Sequence, residues 1–225
     1  MKALFFTSFT TLSLLLLLTA CDSGTNDPSN PPTGGNSISR AGITITSTGN
    51  TIIDEINFAR VALGKGGADA QRYYDEVIVP NAMTNADMPQ RLAEVKAIFY
   101  GTSDMGGTTQ AQLRTLTALT QNSAISSDID NYTVATHDTS QWRQGERAEV
   151  AWFSDMSPYT QTANTRALGA VVNWITDSGN SPNFGHRTAL LNPSFSEGGA
   201  TSDVTNSMNG QANSKSGGHV VARFK

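Results

Sequence analysis

Reactive side chains are scarce in this chain. Its 225 residues include a single cysteine, Cys21, and only three histidines. One thiol cannot form an intramolecular disulfide, so the fold must be stabilised by its hydrophobic core. The sequence also lacks a Gly-x-Ser-x-Gly motif, which leaves catalysis by a serine nucleophile with little support.

Positive charge is limited as well. The chain has 15 Lys and Arg against 19 Asp and Glu, for a formal net charge of −4. No stripe of basic residues is present to neutralise phosphates, which argues against nucleic acid as a partner. The sequence shows no internal repeat.

The first twenty residues have the layout of a secretory signal peptide. Lys2 precedes an apolar stretch from Leu4 to Leu18, and small residues lead to the cysteine. The run Leu18–Cys21 resembles a bacterial lipobox, which predicts a lipoprotein-type signal over residues 1–20 and lipidation at Cys21. A plain cleaved signal and an uncleaved anchor helix are the alternatives. Acyl chains on Cys21 would hold the protein at a membrane of the bacterial cell envelope, in the periplasm or on the outer surface, and would leave no free thiol.

Two further regions follow the predicted signal. Residues 21–42 are rich in Ser, Asn, Gly and Pro and contain almost nothing apolar, so they are expected to form a flexible tether behind the lipidated cysteine. Residues 43–225 are enough for one domain with a substantial core.

Helical spacing dominates the first part of this domain. An apolar stripe at intervals of three and four residues predicts a helix after Asn50 or Thr51, either of which can cap it. Similar patterns occur in the stretches 70–80, 88–101, 108–120, 122–138 and 160–180.

Strand patterns are shorter and come mostly late. Alternation or β-branched content predicts strands near residues 43–46, 146–153, 197–204 and 218–225. Helices that precede and interleave with a few late strands favour an α+β fold over a doubly wound one.

Two motifs resemble a known family. The segment "IIDEINFAR" (52–60) and the run from Trp174 to Gly199, with its Gly-His-Arg and Leu-Leu-Asn-Pro, are similar to the bacterial branch of the CAP superfamily. This family, also called the SCP domain, includes cysteine-rich secretory, antigen-five and pathogenesis-related-one proteins. The resemblance covers roughly residues 50–225. It implies a three-layer α-β-α sandwich with a small, mainly antiparallel sheet and a wide cleft.

In that family the cleft holds two histidines and two acidic residues, and the histidines can bind a divalent metal, often zinc. The resemblance places the histidines at His137 and His186 and one acid at Glu149, with Glu146 as a competitor. The second acid is missing, because Gly169 stands where a glutamate is usual. Imidazole and carboxylate suit zinc, but two histidines and one carboxylate would hold it weakly. A structural histidine pair in a polar cleft is the alternative.

Other candidates have simpler interpretations. Trp142 lies between polar residues and could line the cleft, whereas Trp152 and Trp174 fall on apolar faces and are expected in the core. His219 is expected to be an ordinary sheet residue. Arg187 is expected to pair with a carboxylate and fix the turn around it.

Three functions compete at this point. The favoured one is a non-enzymatic envelope binding module whose cleft takes a small molecule, a lipid, a peptide or a cell-wall component. The second is a metal-dependent hydrolase in which Glu149 acts as general base and the two histidines hold the metal. The third is an adhesive surface protein in which the cleft is incidental.

Overall fold

The fold is α+β. A computed structural model describes residues 35–130, 145–154, 163–178, 184–203 and 218–225, all within one compact unit. Within these ranges, no helix has both the length and the apolar character that a membrane span requires. His137, Trp142 and Cys21 lie outside the described residues.

The first long helix is the centre of the domain. Helix α1 spans Thr51–Lys65, and the Asn50 side chain caps it by accepting from the backbone N–H groups of Ile52 and Ile53. Sequence periodicity predicts one apolar face. The structure buries nearly the whole helix instead, including the polar side chains Asn57 and Arg60.

The remaining described helices overlap the predicted stretches, apart from the last, which was not predicted as a helix. They are α2 (Gly67–Tyr73), a π-helical turn (Tyr74–Ile78), α3 (Val79–Asn81), α4 (Met88–Phe99), α5 (Gln110–Leu113), α6 (Ser123–Asp130), α7 (Ala163–Thr176) and α8 (Gly185–Leu190). The helix predicted over 108–120 is too long, because only α5 forms. Beyond Leu113 the chain departs from the helix, and the backbone N–H and C=O of Leu119 pair with the Asn57 side chain at 2.6 and 3.0 Å.

Two sheets complete the fold. A hairpin of β1 (Ser37–Arg40) and β2 (Ile43–Thr46) is antiparallel. It places a strand inside the segment expected to be tether, so folded structure begins before residue 43. The second sheet has the order β3-β5-β6-β4, with β3 Thr120–Gln121, β4 Ala148–Ser154, β5 Glu197–Asp203 and β6 Gly218–Phe224. Among the strands that the structure describes, only the β3–β5 pair is parallel.

Helices cover both faces of the four-stranded sheet. Along β6, Val220, Ala222 and Phe224 join the main core, which includes residues of α1 and α7. Val221 points the other way and packs with Ile125 and Ile129 of α6. This alternation is the period-2 pattern of a strand that is buried on both sides. The predicted α-β-α layering agrees with this arrangement.

Two adjacent glycines let both helical layers approach the sheet. A Cβ added at Gly198 would lie 3.2 Å from side-chain atoms of Ile53 and Leu119. A Cβ added at Gly199 would lie 2.5 Å from the Ile125 Cβ and 2.7 Å from two backbone atoms of the loop and helix α6. The second position is more restrictive, because backbone atoms cannot rotate away.

This difference predicts the stability of two matched variants. Gly199→Ala should lower the free energy of unfolding by about 2 to 3 kcal/mol, because overpacking forces α6 away from the sheet. Gly198→Ala meets flexible side-chain ends and should cost about 1 kcal/mol or less. Urea denaturation of both variants measures the two values. Equal losses would contradict the proposed close approach of α6.

The hairpin is attached to α1 by a buried carboxyl group. The Arg40 guanidinium donates to Glu55 Oε1 at 2.6 Å, and the Glu55 side chain is only 4% exposed. The second Glu55 oxygen is buried and has no hydrogen-bond partner among the described residues. Desolvation by burial therefore raises the pKa of Glu55 to about 7, against the opposing effect of Arg40.

This raised pKa predicts a pH-dependent stability. The folded state favours the protonated Glu55, so its contribution is fully present below pH 4.5 and is lost as the pH rises through about 7. The loss amounts to about 3 kcal/mol over that window. Glu55→Gln keeps an acceptor for Arg40 without a buried charge, so it should flatten this part of the profile. Chemical denaturation of both proteins between pH 4.5 and 8 tests the prediction, and parallel profiles would contradict it.

Candidate functional site

A buried arginine fixes the segment that carries the Gly-His-Arg motif. Arg60 of α1 is 1% exposed and donates to four backbone carbonyl oxygens. These belong to Thr117, Leu190, Asn192 and Phe195, at 2.8 to 2.9 Å. Burial lowers the pKa of Arg60 to about 10, which still leaves it charged at neutral pH. The turn after α8 is thereby held against the central helix.

The motif itself forms the short helix α8. Phe184 precedes it with a positive φ of 37°, and the helix ends at Leu190 before Asn192 and Pro193. Asn192 then organises a turn, because its side-chain oxygen accepts from Ser194 N–H and its carbonyl from Phe195 N–H. His186 is therefore placed on a helix whose two ends are both fixed.

His186 has a carboxylate partner that the sequence reading did not identify. Its Nδ1 lies 3.0 Å from Asp177 Oδ1, and the Asp177 side chain is fully buried whereas the ring is 24% exposed. The other Asp177 oxygen accepts from the Arg187 backbone N–H at 3.2 Å. A buried carboxylate that binds one ring nitrogen fixes the orientation and tautomer of an imidazole. Asp177 thus supplies the type of acceptor that the glycine at position 169 cannot.

Asp177 can take this position because it ends α7 in the left-handed region. Its φ is 52°, and its N–H still closes the helix on the Asn173 carbonyl at 2.7 Å. Asp tolerates this conformation better than most residues, since its short side chain can hydrogen-bond locally. The available signal was an Asp at a helix end next to Ser-Gly, nine residues before the histidine.

Arg187 is a structural residue at the same junction. Its Nε donates to the Ile175 carbonyl at 2.5 Å and its NH2 group to the Thr176 carbonyl at 2.8 Å. It was expected to pair with a carboxylate, and its guanidinium does form an ion pair with Glu94, but at 3.8 Å this contact is longer than those to the two carbonyl groups. Burial lowers the pKa of Arg187, and the carboxylates of Asp177 and Glu94 oppose that shift. The arginine therefore caps α7 chiefly through carbonyl oxygens.

The predicted acids lie in a second polar group. Glu149 on β4 and Arg223 on β6 are direct cross-strand partners, joined at 2.6 Å from the guanidinium Nε to a carboxylate oxygen. Glu146 lies 3.5 Å from the same guanidinium, and both glutamate side chains are fully buried. One Glu146 oxygen has no hydrogen-bond partner among the described residues. Both candidate acids thus contact one cation, which sequence reasoning did not single out.

These two groups belong to different layers. Glu149 has the opposite orientation to Val150 on the same strand, and it therefore points to the face of the sheet that α6 covers. Asp177 and His186 lie at the end of α7, on the main-core side. Helix α8 packs against both α7 and β4, so the helix that carries His186 contacts the strand that carries Glu149. The described residues join Glu149 to Glu146 and Arg223, and His186 to Asp177.

Several expected residues have plain structural positions. Trp174 is fully buried and Trp152 packs against the main core, as predicted for both. A Cβ on Gly169 would lie 4.0 Å from the Trp152 ring, so an ordinary contact replaces the missing acid there. The backbone of His219 pairs with Phe153 and Asp203 inside the sheet, as expected for a sheet residue.

The metal hypothesis depends on His137, which lies outside the described residues. Among the described side chains, no three His, Cys, Asp or Glu residues come together as a possible metal site. Since Asp177 engages Nδ1 of His186, only Nε2 of that ring is suited to a metal. A zinc site would need His137 as well, and it stays a prediction.

The Asp177 contact makes a spectroscopic prediction. In its neutral form, the His186 ring should carry the proton on Nδ1, because Asp177 accepts there. Nitrogen-15 NMR of the three histidine rings measures the tautomer, and His186→Gln identifies the signal. Asp177→Asn should reduce the Nδ1-protonated population, because the amide accepts a hydrogen bond more weakly than a carboxylate. A ring protonated mainly on Nε2 in the unmodified protein would contradict the assignment.

Comparisons of the chain with protein families, with curated proteins and with solved structures found no match. The resemblance to the CAP superfamily therefore rests on the motifs in the sequence.

Proposed function

We propose that this protein is a CAP-like lipoprotein of the bacterial cell envelope that binds a ligand and does not act as an enzyme. The lipobox-like Leu18–Cys21 would attach it to a membrane, and the segment before the hairpin would serve as its tether. An α+β fold with helices on both faces of the sheet supports the CAP-like part of the proposal.

The burial of Glu149 is the observation that favours binding over hydrolysis. A general base must reach a substrate or a metal-bound water, directly or through one water. The Glu149 side chain is fully buried, and one of its oxygens accepts from Arg223 at 2.6 Å. A carboxylate in this setting fixes strand β4 to strand β6 more readily than it activates water.

His186 is the better candidate for contact with a ligand. Its ring is 24% exposed and is oriented from behind by buried Asp177. A pre-oriented polar group at the surface recognises a ligand at a lower entropic cost than a freely rotating one. The proposal places His186 at the ligand contact, with His137 and Trp142 as predicted neighbours.

Among the possible ligand classes, a cell-wall component can be tested most directly, because a protein anchored in the cell envelope would lie close to the cell wall. Peptidoglycan carries peptide and sugar hydrogen-bonding groups, which suit an imidazole and neighbouring polar side chains. Lipids, small molecules and free peptides remain the other classes within the proposal.

Sedimentation with purified peptidoglycan sacculi tests the function. The mature protein should pellet with sacculi and release no soluble fragments, with or without added zinc. Glu149→Gln should bind within about twofold of the unmodified protein, because an amide oxygen can still accept from Arg223. His186→Gln should weaken binding by about tenfold, the usual loss for one hydrogen bond to a ligand.

The same assay separates the alternative. A metal-dependent hydrolase would release soluble fragments with zinc, and Glu149→Gln would abolish that release while leaving sedimentation unchanged. That result would overturn the non-enzymatic proposal. Thermal unfolding of each variant shows that loss of binding does not reflect loss of the fold.

A further inference from the structure

A separate cavity of about 480 Å³ lies between α4, the turn after it and the start of α8. Its wall from the turn comes from a tight hairpin in which Met105 and Thr108 exchange backbone hydrogen bonds at 2.7 and 2.9 Å. Gly106 and Gly107 have φ values of 48° and 90° there, as a two-residue hairpin turn requires. His186 and Glu149 do not line this cavity. Its size is in the range of small-molecule sites.

One buried cation reaches into the cavity with spare donors. Arg187 is 4% exposed, and carbonyl groups of α7 occupy its Nε and one terminal nitrogen. Its NH1 group lines up with Glu94 at 3.8 Å, which is too long for a hydrogen bond. Glu94 is engaged instead by Arg91, with two contacts of 2.8 and 3.0 Å. A buried guanidinium with unused N–H groups is a strong binding site for a carboxylate.

Phe184 forms a fixed wall next to that cation. The guanidinium carbons of Arg91 and Arg187 lie 5.0 and 4.8 Å from its ring centre. Cation–π contacts of this kind hold the ring in place. Both arginines add positive charge around the ring, and the Glu94 carboxylate, which also lines the cavity, offsets part of it.

The lining of the cavity also includes the carboxylate of Asp104 and several apolar side chains. One oxygen of Asp104 accepts from the Gln110 backbone N–H at 2.7 Å, and the other has no hydrogen-bond partner among the described residues. Ala97, Ile98 and Met105 line the space together with Phe184. The cavity therefore combines a donor for an anion, an acceptor for a cation and an apolar interior.

We propose that this cavity binds a short peptide with free termini and apolar side chains. Its terminal carboxylate would accept from Arg187, its ammonium group would approach Asp104, and its side chains would contact Ala97, Ile98 and Met105. This site is independent of the His186 contact in the proposed function. The protein would then carry two binding sites near residues 184–188.

Three dipeptide probes test the proposal without any mutation. Leucyl-leucine should bind with a Kd measurable by calorimetry. Its C-terminal amide should bind at least about tenfold more weakly, because a neutral amide oxygen accepts from a guanidinium more weakly than a carboxylate does. Its N-acetyl form should lose up to about fivefold, because Asp104 is exposed and its interaction is screened.

Substitutions test whether the dipeptide binds in this cavity. Ala97→Phe should fill the space and weaken leucyl-leucine by at least about tenfold. Ala93→Phe, on the exposed face of the same helix, is the matched control and should bind as the unmodified protein does. Asp104→Asn keeps the acceptor for Gln110 and should weaken leucyl-leucine but leave its N-acetyl form unchanged.

Three results would overturn the proposal. They are no heat of binding for leucyl-leucine, equal affinity for the acid and its amide, and unchanged affinity in Ala97→Phe. If Ala97→Phe does not fold, Ala97→Leu and the comparison of acid with amide still decide the question. Loss of sacculus binding in His186→Gln without an effect on leucyl-leucine would show that the two sites are separate.

Discussion

The contact of Arg60 with four backbone carbonyls is the interaction on which the rest of the structure depends. A buried guanidinium is costly unless its N–H groups are satisfied, and here they are satisfied by two separate loops. The two loops contain residue 117 and residues 190–195. Because Arg60 belongs to α1, this helix determines where the chain turns after α8. Without Arg60, at least four carbonyl oxygens would lose a buried donor together. The position of His186 follows from this, since its helix ends at the turn that Arg60 holds.

Buried cations of the domain are used in two ways. Arg60 and Arg187 bind carbonyl oxygens and fix loops and helix ends, whereas Arg223 binds carboxylates and joins two strands. The first use leaves carboxylates such as Asp177 available for other partners, and Asp177 accordingly orients an imidazole. The second use removes Glu149 and Glu146 from the surface. The acceptor of each arginine thus decides whether a neighbouring carboxylate is bound in the interior, as Glu149 is, or can orient a residue of the candidate site, as Asp177 does.

Local signals were enough to predict most elements but not their long-range polar contacts. The cap at Asn50 and the strand at residues 43–46 follow from short-range chemistry, and both are present. The helix expected through residue 120 is shorter, because Asn57, which is distant in sequence, binds the extended backbone at Leu119. Asp177 and Arg223 were missed for the same reason. Their roles depend on partners 9 and 74 residues away, and no periodicity records such a pairing.

The two proposed sites share one structural origin. Phe184 has a positive φ and directs its ring between two guanidinium groups, while the next turn of chain directs His186 toward Asp177. Strain of this kind persists only where surrounding contacts fix the backbone, and it is common at functional positions. Here Arg60, Arg187 and Asp177 supply those contacts from three directions. A ligand that carries a carboxylate would add a fourth, because it would satisfy the remaining donors of Arg187 and strengthen the same junction.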